Sequence, residues 1–289
     1  MKTKIVAVAV AFLLLISSSA ALNLESIGLG KGKGAIVSLS GTIQPSSSDS
    51  LLSSGGGITP QQVRQINEKV KQGNYRAVIY EINSGGGTVV ASKEIMRSIE
   101  DMKIPTVCRF RDITASGAYL FSLGCDRIVA DSATITGSIG VKSSFFEFTG
   151  AMERYGVRYV NITSGKYKDI SSPYQNASKR EKEILEEKAE MIHEQFLNLV
   201  EEKRNVSERE LQRIGTGNIF LGTEAKKLGL VDRLGGRETA FEVAENMTGS
   251  DLKFEKVETQ SSSLFSMVSM NSFIQNLLGT GSVPLKAAY

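Results

Sequence analysis

The sequence predicts an α/β domain, and three observations point to this fold class. Short apolar runs alternate with helical patterns through the middle of the chain. Each run is short enough for a single strand. The composition, with 41% hydrophobic and 22% charged residues over 289 positions, is that of an ordinary globular protein. Because such alternation is typical of strand and helix units that share one sheet, we expect one core domain with appended segments.

The elements can be assigned in order along the chain. Strands are predicted at residues 35–40, 77–82, 106–110 and 127–130, and helices at 89–102, 116–124, 208–214 and 223–228. Ser178 and Glu181 form a capping-box pattern that opens a further, long helix. Its apolar residues recur at helical spacing and predict one buried stripe, formed by Ile184, Leu185, Ala189, Ile192, Phe196, Leu199 and Val200.

The first 22 residues have the features of an export signal. Two lysines precede an apolar run at residues 5–16, and small residues follow, with Ser19 and Ala21 in a cleavage-like arrangement. Extended through Leu22, the segment has about 18 residues, the lower limit for crossing a bilayer. A cleaved signal peptide and a retained membrane anchor therefore both remain open. In either case the rest of the chain is predicted to be extracytoplasmic.

The chain divides into four predicted parts. Residues 1–22 form the signal or anchor segment, 23–57 a first strand and a Ser- and Gly-rich loop, 58–258 the core with its helical C-terminal part, and 259–289 a tail. The Ser-rich tail with scattered apolar residues fits an amphipathic helix, a membrane-surface element or a subunit contact equally well.

Charge, cysteine and histidine content exclude several classes of function. The net charge is only +3 and no dense basic block occurs, so nucleic acid is not expected as a partner. Cys108 and Cys125 are too few for a disulfide framework or a thiolate zinc site, and no metal or other cofactor is predicted. Both lie in apolar stretches and are expected to be buried free thiols, although one disulfide remains possible. His193, the only histidine, lies in a charged helical pattern and is expected at the surface.

A glycine-rich segment, Asn83-Ser84-Gly85-Gly86-Gly87, lies between a predicted strand and a predicted helix. Glycine permits positive φ and lets backbone N–H groups point into a cavity, where they can bind an oxyanion or a phosphate. The spacing fits neither a P-loop nor a dinucleotide-binding loop. A tight turn without function is an equally good interpretation.

Ser116 lies between small residues at the predicted start of a helix, in Ala115-Ser116-Gly117-Ala118-Tyr119. Small neighbours give access to the hydroxyl, and a helix N-terminus stabilises developing negative charge. A simple N-cap would have the same appearance. With a single, poorly placed histidine, a Ser-His-Asp triad has no base, which leaves a lysine as the candidate base for a serine nucleophile. Lys166 and Lys168, on a loop before Pro173, would otherwise be ordinary surface charges.

Taken together, five segments resemble the signal peptide peptidase A family in order and approximate spacing over about residues 34–240. They are 83–87, 115–119, 136–141 (Thr-Gly-Ser-Ile-Gly-Val), 164–170 (Ser-Gly-Lys-Tyr-Lys-Asp-Ile) and 225–232 (Ala-Lys-Lys-Leu-Gly-Leu-Val-Asp). The resemblance implies a crotonase/Clp-protease-like fold of repeated ββα units. It also implies a Ser/Lys dyad.

Carried over by motif, the resemblance makes Ser116 the nucleophile and Lys168 the general base. Gly87 and Gly117 would offer their N–H groups to the oxyanion, and Ser138 would orient the lysine. Gly85 stands where the family usually has proline, which should loosen this turn.

Basicity places a further demand on Lys168. A solvent-exposed lysine is almost fully protonated at pH 7, and burial in an apolar site without a carboxylate favours the neutral amine. We therefore expect Lys168 to be buried beside Ser116, and Lys166 to be exposed.

The resemblance implies a membrane-associated serine endopeptidase that hydrolyses remnant signal peptides or other short or unfolded polypeptides, and that forms a homo-oligomer. A related membrane Ser/Lys protease that cleaves one membrane-protein partner is the nearest alternative. A crotonase-fold enzyme acting on acyl-CoA, or an inactive scaffold, is less compatible with an export signal and with both dyad residues.

Four Asn-x-Ser/Thr sequons occur, at Asn161, Asn176, Asn205 and Asn246. Asn161 is predicted to lie in a strand and to be unmodified.

Overall fold

A sheet of mainly parallel strands forms the centre of the structure, a computed structural model that describes residues 31–46 and 57–258. The strands are β1 (Gly32–Ser40), β2 (Tyr75–Ser84), β3 (Thr106–Ala115), β4 (Arg127–Ala130), β5 (Ile135–Gly137), β6 (Ile219–Leu221), β7 (Arg233–Leu234) and β8 (Leu252–Lys256). The helices are α1 (Pro60–Gln72), α2 (Val89–Glu100), α3 (Gly117–Ser122), α4 (Thr149–Arg154), α5 (Lys179–Lys203), α6 (Glu208–Ile214), α7 (Gly222–Lys227) and α8 (Arg237–Thr248).

The predicted alternation of strands and helices is confirmed, and each strand and helix assigned by residue range is present with shifted ends, whereas the strand predicted around Asn161 is not. The export segment at residues 1–22, most of the Ser- and Gly-rich loop and the tail from residue 259 lie outside the described residues. Within the described ranges, no helix combines the length and apolarity needed to cross a membrane.

Strand β3 belongs to two parts of the sheet. Its first half pairs with β4, and its last three residues pair with β5. The main path runs β6-β5-β3-β2-β1-β8, and every pair is parallel except β5 with β6. Parallel neighbours need crossover connections, and the intervening helices supply them. Strands β3 and β5 thereby end side by side, which positions the site described below.

Both faces of the sheet are covered. Helices α1, α2 and α3 and the C-terminal end of α5 pack on one face, and α8 packs on the other. Strand β2 is accordingly apolar at successive positions, with Val78 and Tyr80 facing the larger cluster and Ala77 and Ile79 facing α8.

The two cysteines form a disulfide, so the expectation of free thiols is wrong. Cys108 in β3 and Cys125 after α3 have Cα atoms 5.8 Å apart, which is within the range that a disulfide can bridge. Apolar sequence context could not reveal this, because the contact arises from the return of the chain beside β3. The bond closes the loop that contains Ser116.

Helix α5 begins as predicted but is less buried than predicted. In its capping box the Glu181 amide donates to Ser178 Oγ at 3.3 Å, and the Ser178 amide donates to Glu181 Oε2 at 2.8 Å. Of the predicted stripe, only Phe196 and Val200 are buried, because the N-terminal part of the helix extends beyond the core. His193 on this helix is only 16% exposed, so its predicted surface position is wrong.

The strand predicted around Asn161 is absent. Residues 157–163 have no regular secondary structure, and Asn161 is exposed. This part of the chain pairs with no strand of the sheet, so its alternating apolar residues are not fixed in a ladder.

Candidate active site

Ser116 occupies a strained turn between β3 and α3. Its φ of 53° and ψ of −126° are unusual for a residue with a side chain and cost about 1–3 kcal/mol. The Ser116 amide donates to the Gly137 carbonyl oxygen at 2.9 Å, and its carbonyl oxygen accepts from the Leu120 amide at 2.9 Å. The side chain is half-buried and makes no capping hydrogen bond, so the interpretation of Ser116 as a simple N-cap is wrong. In α/β-hydrolases a strained turn of this kind, between a strand and a helix, exposes a serine hydroxyl.

The glycine-rich segment lies against this turn. The Ile43 amide donates to the Gly86 carbonyl oxygen at 3.0 Å, and the Thr88 amide donates to the Ile43 carbonyl oxygen at 3.1 Å. Gly86 has a φ of 107°, and a Cβ placed on it would lie 2.8 Å from the Gly117 nitrogen. Glycine is therefore required here both for backbone conformation and for close approach to the serine turn.

Gly87 and Gly117 lie close together beside Ser116. Ile43 forms hydrogen bonds to the Gly86 carbonyl oxygen and the Thr88 amide, on either side of Gly87, so the amide of Gly87 points away from Ile43. A Cβ on Gly117 would lie 3.2 Å from the Gly87 nitrogen. Neither amide donates to another described residue, and the first amides of a helix have no intrahelical acceptor. The two N–H groups beside Ser116 can therefore bind an anionic oxygen.

Ser138 is brought beside Ser116 by the pairing of β3 with β5. Ala115 lies opposite Gly137, so the two serines follow at adjacent strand ends. Thr136 Oγ1 donates to the Thr114 carbonyl oxygen at 2.6 Å and fixes the register. The Ser138 amide donates to the Asn218 carbonyl oxygen at 2.8 Å and holds Ser138 at a φ of 50°.

The segment 225–232 supports the base of α3 and does not reach Ser116. The Tyr119 hydroxyl donates to the Leu230 carbonyl oxygen at 3.0 Å, and burial raises the pKa of this phenol. Asp232 Oδ2 accepts from the Ile128 amide at 2.6 Å, and both its oxygens accept from Arg204 at 3.0 and 2.9 Å. This motif is therefore a structural element that fixes α3 and β4.

Lys168 is exposed, so its expected burial is wrong for the single chain. It lies in residues 141–178, here called the arm, where Ser172 is the one buried residue and α4 the one helix. Lys168 makes no ion pair with a described carboxylate, and no hydrogen bond joins it to Ser116. Lys166 is exposed as predicted, with its Nζ 5.2 Å from the centre of the Tyr167 ring. Lys168 is not buried because no described part of the chain packs over this loop.

Two supporting positions were not found from the sequence. Ile43 aligns the glycine segment, and Asn218 fixes Ser138, in both cases through main-chain groups. A backbone contact of this kind sets no requirement on the side chain and leaves no pattern in the sequence. Asn83, in the glycine-rich segment, also has a supporting role that the sequence did not predict: its Oδ1 accepts from the Ile113 amide at 3.2 Å, beside the irregular register of β2 and β3.

The turn between β3 and α3 thus places a serine beside two amides without a described hydrogen-bond partner, at the ends of parallel strands in an α/β sheet. The same fold is present in the solved structure of a 1510-N membrane-bound stomatin-specific protease, a mutant form in complex with a substrate peptide. The TM-score is 0.51 at 14% identity, over 84% of this chain and all of that chain. At this identity the similarity shows the fold alone.

Sequence comparison assigns the family. The model of peptidase family S49 matches residues 98–251, more than half of the chain, and the chain belongs to this family of serine peptidases. The "Putative protease MJ0651" of Methanocaldococcus jannaschii is 36% identical over 202 residues, covering 67% of this chain and 65% of that protein. The "Putative signal peptide peptidase SppA" of Enterococcus faecium is 35% identical over 170 residues, covering 58% and 49%. The resemblance to the signal peptide peptidase A family is thus confirmed, and the chain spans about half to two thirds of these two relatives.

The strain at Ser116 is testable through stability. We expect Ser116→Gly to be more stable than Ser116→Ala by about 1 kcal/mol, because only glycine adopts this conformation without a Cβ clash. Urea denaturation of both variants measures the difference. In the interior of α2, Ser98→Gly should instead be less stable than Ser98→Ala by about 1 kcal/mol. Equal stability of the two Ser116 variants would contradict the strained turn.

Proposed function

We propose that the chain is a membrane-associated serine endopeptidase of the extracytoplasmic side that hydrolyses remnant signal peptides and other short or unfolded polypeptides. Ser116 is the nucleophile and Lys168 the general base. Gly87 and Gly117 form the oxyanion hole, and Ser138 orients the lysine. The membrane and export parts of this proposal rest on the sequence features of residues 1–22.

One observation carries the proposal. The Ser116 hydroxyl is presented by a strained backbone beside the unpartnered amides of Gly87 and Gly117. Strain is maintained where the surrounding structure enforces it, and it concentrates at functional sites. Two preorganised N–H donors beside a nucleophile match the demand of acyl transfer, in which a carbonyl oxygen becomes an anion.

The proposed reaction proceeds in two steps. The neutral amine of Lys168 takes the proton of Ser116 Oγ while Oγ bonds to the scissile carbonyl carbon, and the oxyanion is held by the two amides. The C–N bond then breaks, and the Lys168 ammonium protonates the leaving amine. Water next attacks the carbonyl carbon of the Ser116 ester and loses its proton to Lys168. The bond between that carbon and Ser116 Oγ then breaks, Lys168 returns the proton to Oγ, and the carboxylic acid product is released.

The exposure of Lys168 in the single chain is one reason to propose that the protein acts as a homo-oligomer. Apolar side chains project from the arm into solvent, with Phe146, Val160 and Ile162 exposed by 76%, 74% and 94%. A dense group of exposed apolar residues marks an interaction surface. Association of copies through the arm would remove water from the lysine loop and favour the neutral amine.

A second candidate is cleavage of one membrane-protein partner. The fold similarity to the stomatin-specific protease is the reason to include it, although at 14% identity this similarity concerns the fold alone. Signal-peptide substrates remain the first proposal because the relatives with higher identity include a protein with the signal peptide peptidase name. An activity on acyl-CoA is not proposed, because the chain belongs to a peptidase family.

The dyad is tested by replacing each member. We expect Ser116→Ala and Lys168→Ala each to reduce kcat on apolar peptides by at least about a thousandfold. The nucleophile and its base act together, so removal of either one abolishes the activity of the pair. Lys168→Arg should be equally inactive, because guanidinium does not deprotonate. Mass spectrometry of products from a panel of signal peptides and membrane-protein segments measures rate and preference together.

Lys166→Ala provides the matched control, because it lies on the same loop and should retain the wild-type rate. Full cleavage by Ser116→Ala or Lys168→Ala would refute the dyad. Cleavage confined to one membrane-protein segment would favour the second candidate.

The role of the arm is tested by a charge on its surface. We expect Ile162→Asp to shift the protein from oligomer to monomer in analytical ultracentrifugation and to abolish cleavage, because a carboxylate in an apolar interface is costly. Leu234→Asp, on the exposed strand β7, should change neither property. An active Ile162→Asp monomer would contradict assembly through the arm.

A further inference from the structure

Asp169 places a negative charge directly after the proposed base, yet its carboxylate is turned to other partners. Asp169 Oδ2 accepts from Asn161 Nδ2 at 2.6 Å and from the Tyr159 hydroxyl at 3.2 Å. Both donors come from the irregular segment 157–163, which lies beside the lysine loop. No ion pair joins Asp169 to either lysine of its loop within the part of the chain that the structure describes.

The position of Asp169 is fixed on several sides. Its carbonyl oxygen accepts from Gln175 Nε2 at 3.0 Å and from the Ser172 amide at 3.1 Å. The Tyr159 ring packs against Tyr174 with centroids 5.2 Å apart. The loop and the two segments that flank it are therefore tied together at this one aspartate.

The chemistry of the base explains why this arrangement matters. A carboxylate within a few ångströms of an ammonium group stabilises its charged form. Lys168 can take the Ser116 proton only as the neutral amine, so a free carboxylate at the next residue would oppose catalysis. Neutral donors to Asp169 satisfy the carboxylate without adding charge.

We propose that Asn161 and Tyr159 are positioning residues that hold the Asp169 carboxylate away from Lys168 and thereby keep the base able to lose its proton. This inference rests on the proposed function of Lys168. It assigns a role to the sequon residue Asn161, whose side-chain nitrogen is engaged by Asp169. The other charged or titratable side chains on the loop and its flanking segments are Arg158, Lys166, Tyr167 and Tyr174.

The test is the pH dependence of kcat/KM for peptide cleavage by the full chain. In Asn161→Ala and in Tyr159→Phe, the acid limb of the profile should move upward by about one pH unit, because the released carboxylate stabilises the lysine ammonium. Asn161→Ala combined with Asp169→Asn should return the limb to the wild-type position, because no charge remains to be released. A merely structural role would lower the rate at all pH values without moving the limb.

Asn176→Ala is the matched control, since this exposed arm asparagine makes no side-chain hydrogen bond within the described ranges and should leave the profile unchanged. If Asn161→Ala fails to fold, Tyr159→Phe still tests the inference, because it removes a single hydroxyl from an exposed ring.

Two results would overturn the inference: an unmoved acid limb in both single variants, or a limb that stays shifted in the Asn161→Ala and Asp169→Asn combination. Failure of the proposed function is distinguishable from either, because it would appear as an inactive wild type or an active Lys168→Ala.

Discussion

The hydrogen bond from the Ser116 amide to the Gly137 carbonyl oxygen is the contact on which the site depends. It continues the pairing of β3 with β5 one residue past the end of β3. It thereby holds Ser116 in a backbone conformation that serine rarely adopts without such a constraint. The turn then places Gly117 beside Gly87, whose position Ile43 fixes from the other side. Loss of this bond would release Ser116 and the two neighbouring glycine amides together.

The rest of the core braces this contact. The Cys108–Cys125 disulfide closes the loop that contains Ser116, and Tyr119 ties α3 to the segment 225–232. Tethers of this kind limit the conformations open to the turn, and precise placement of a nucleophile is worth several kcal/mol in acyl transfer. The arm, unlike the core around Ser116, is held by few buried contacts: its apolar residues are exposed, and Lys168 is open to solvent. In the proposed mechanism the nucleophile and oxyanion donors are preformed in the chain, whereas the environment of the base depends on association.

The sequence predicted what local pattern determines. Alternation of apolar runs located the strands, the capping box located the start of α5, and the glycine-rich segment indicated a positive φ, which is found at Gly86. It could not predict the pairing of Cys108 with Cys125, which depends on how the chain returns beside β3. Nor could it predict the exposure of Lys168, because a motif records residue types and spacing while burial depends on what packs over them. The helical period of α5 likewise indicated a stripe but not which part of it meets the core.

A crystal structure of the assembled enzyme with a peptide boronate would test the central claim most directly. We predict boron bonded to Ser116 Oγ, one boronate oxygen about 2.7–3.1 Å from the nitrogens of both Gly87 and Gly117, and Lys168 Nζ, shielded from solvent, within about 3.2 Å of Oγ. A boronate bound to Ser116 while Lys168 remains exposed to solvent would contradict the account of the base. A boronate oxygen turned away from both glycine amides would contradict the account of the oxyanion hole.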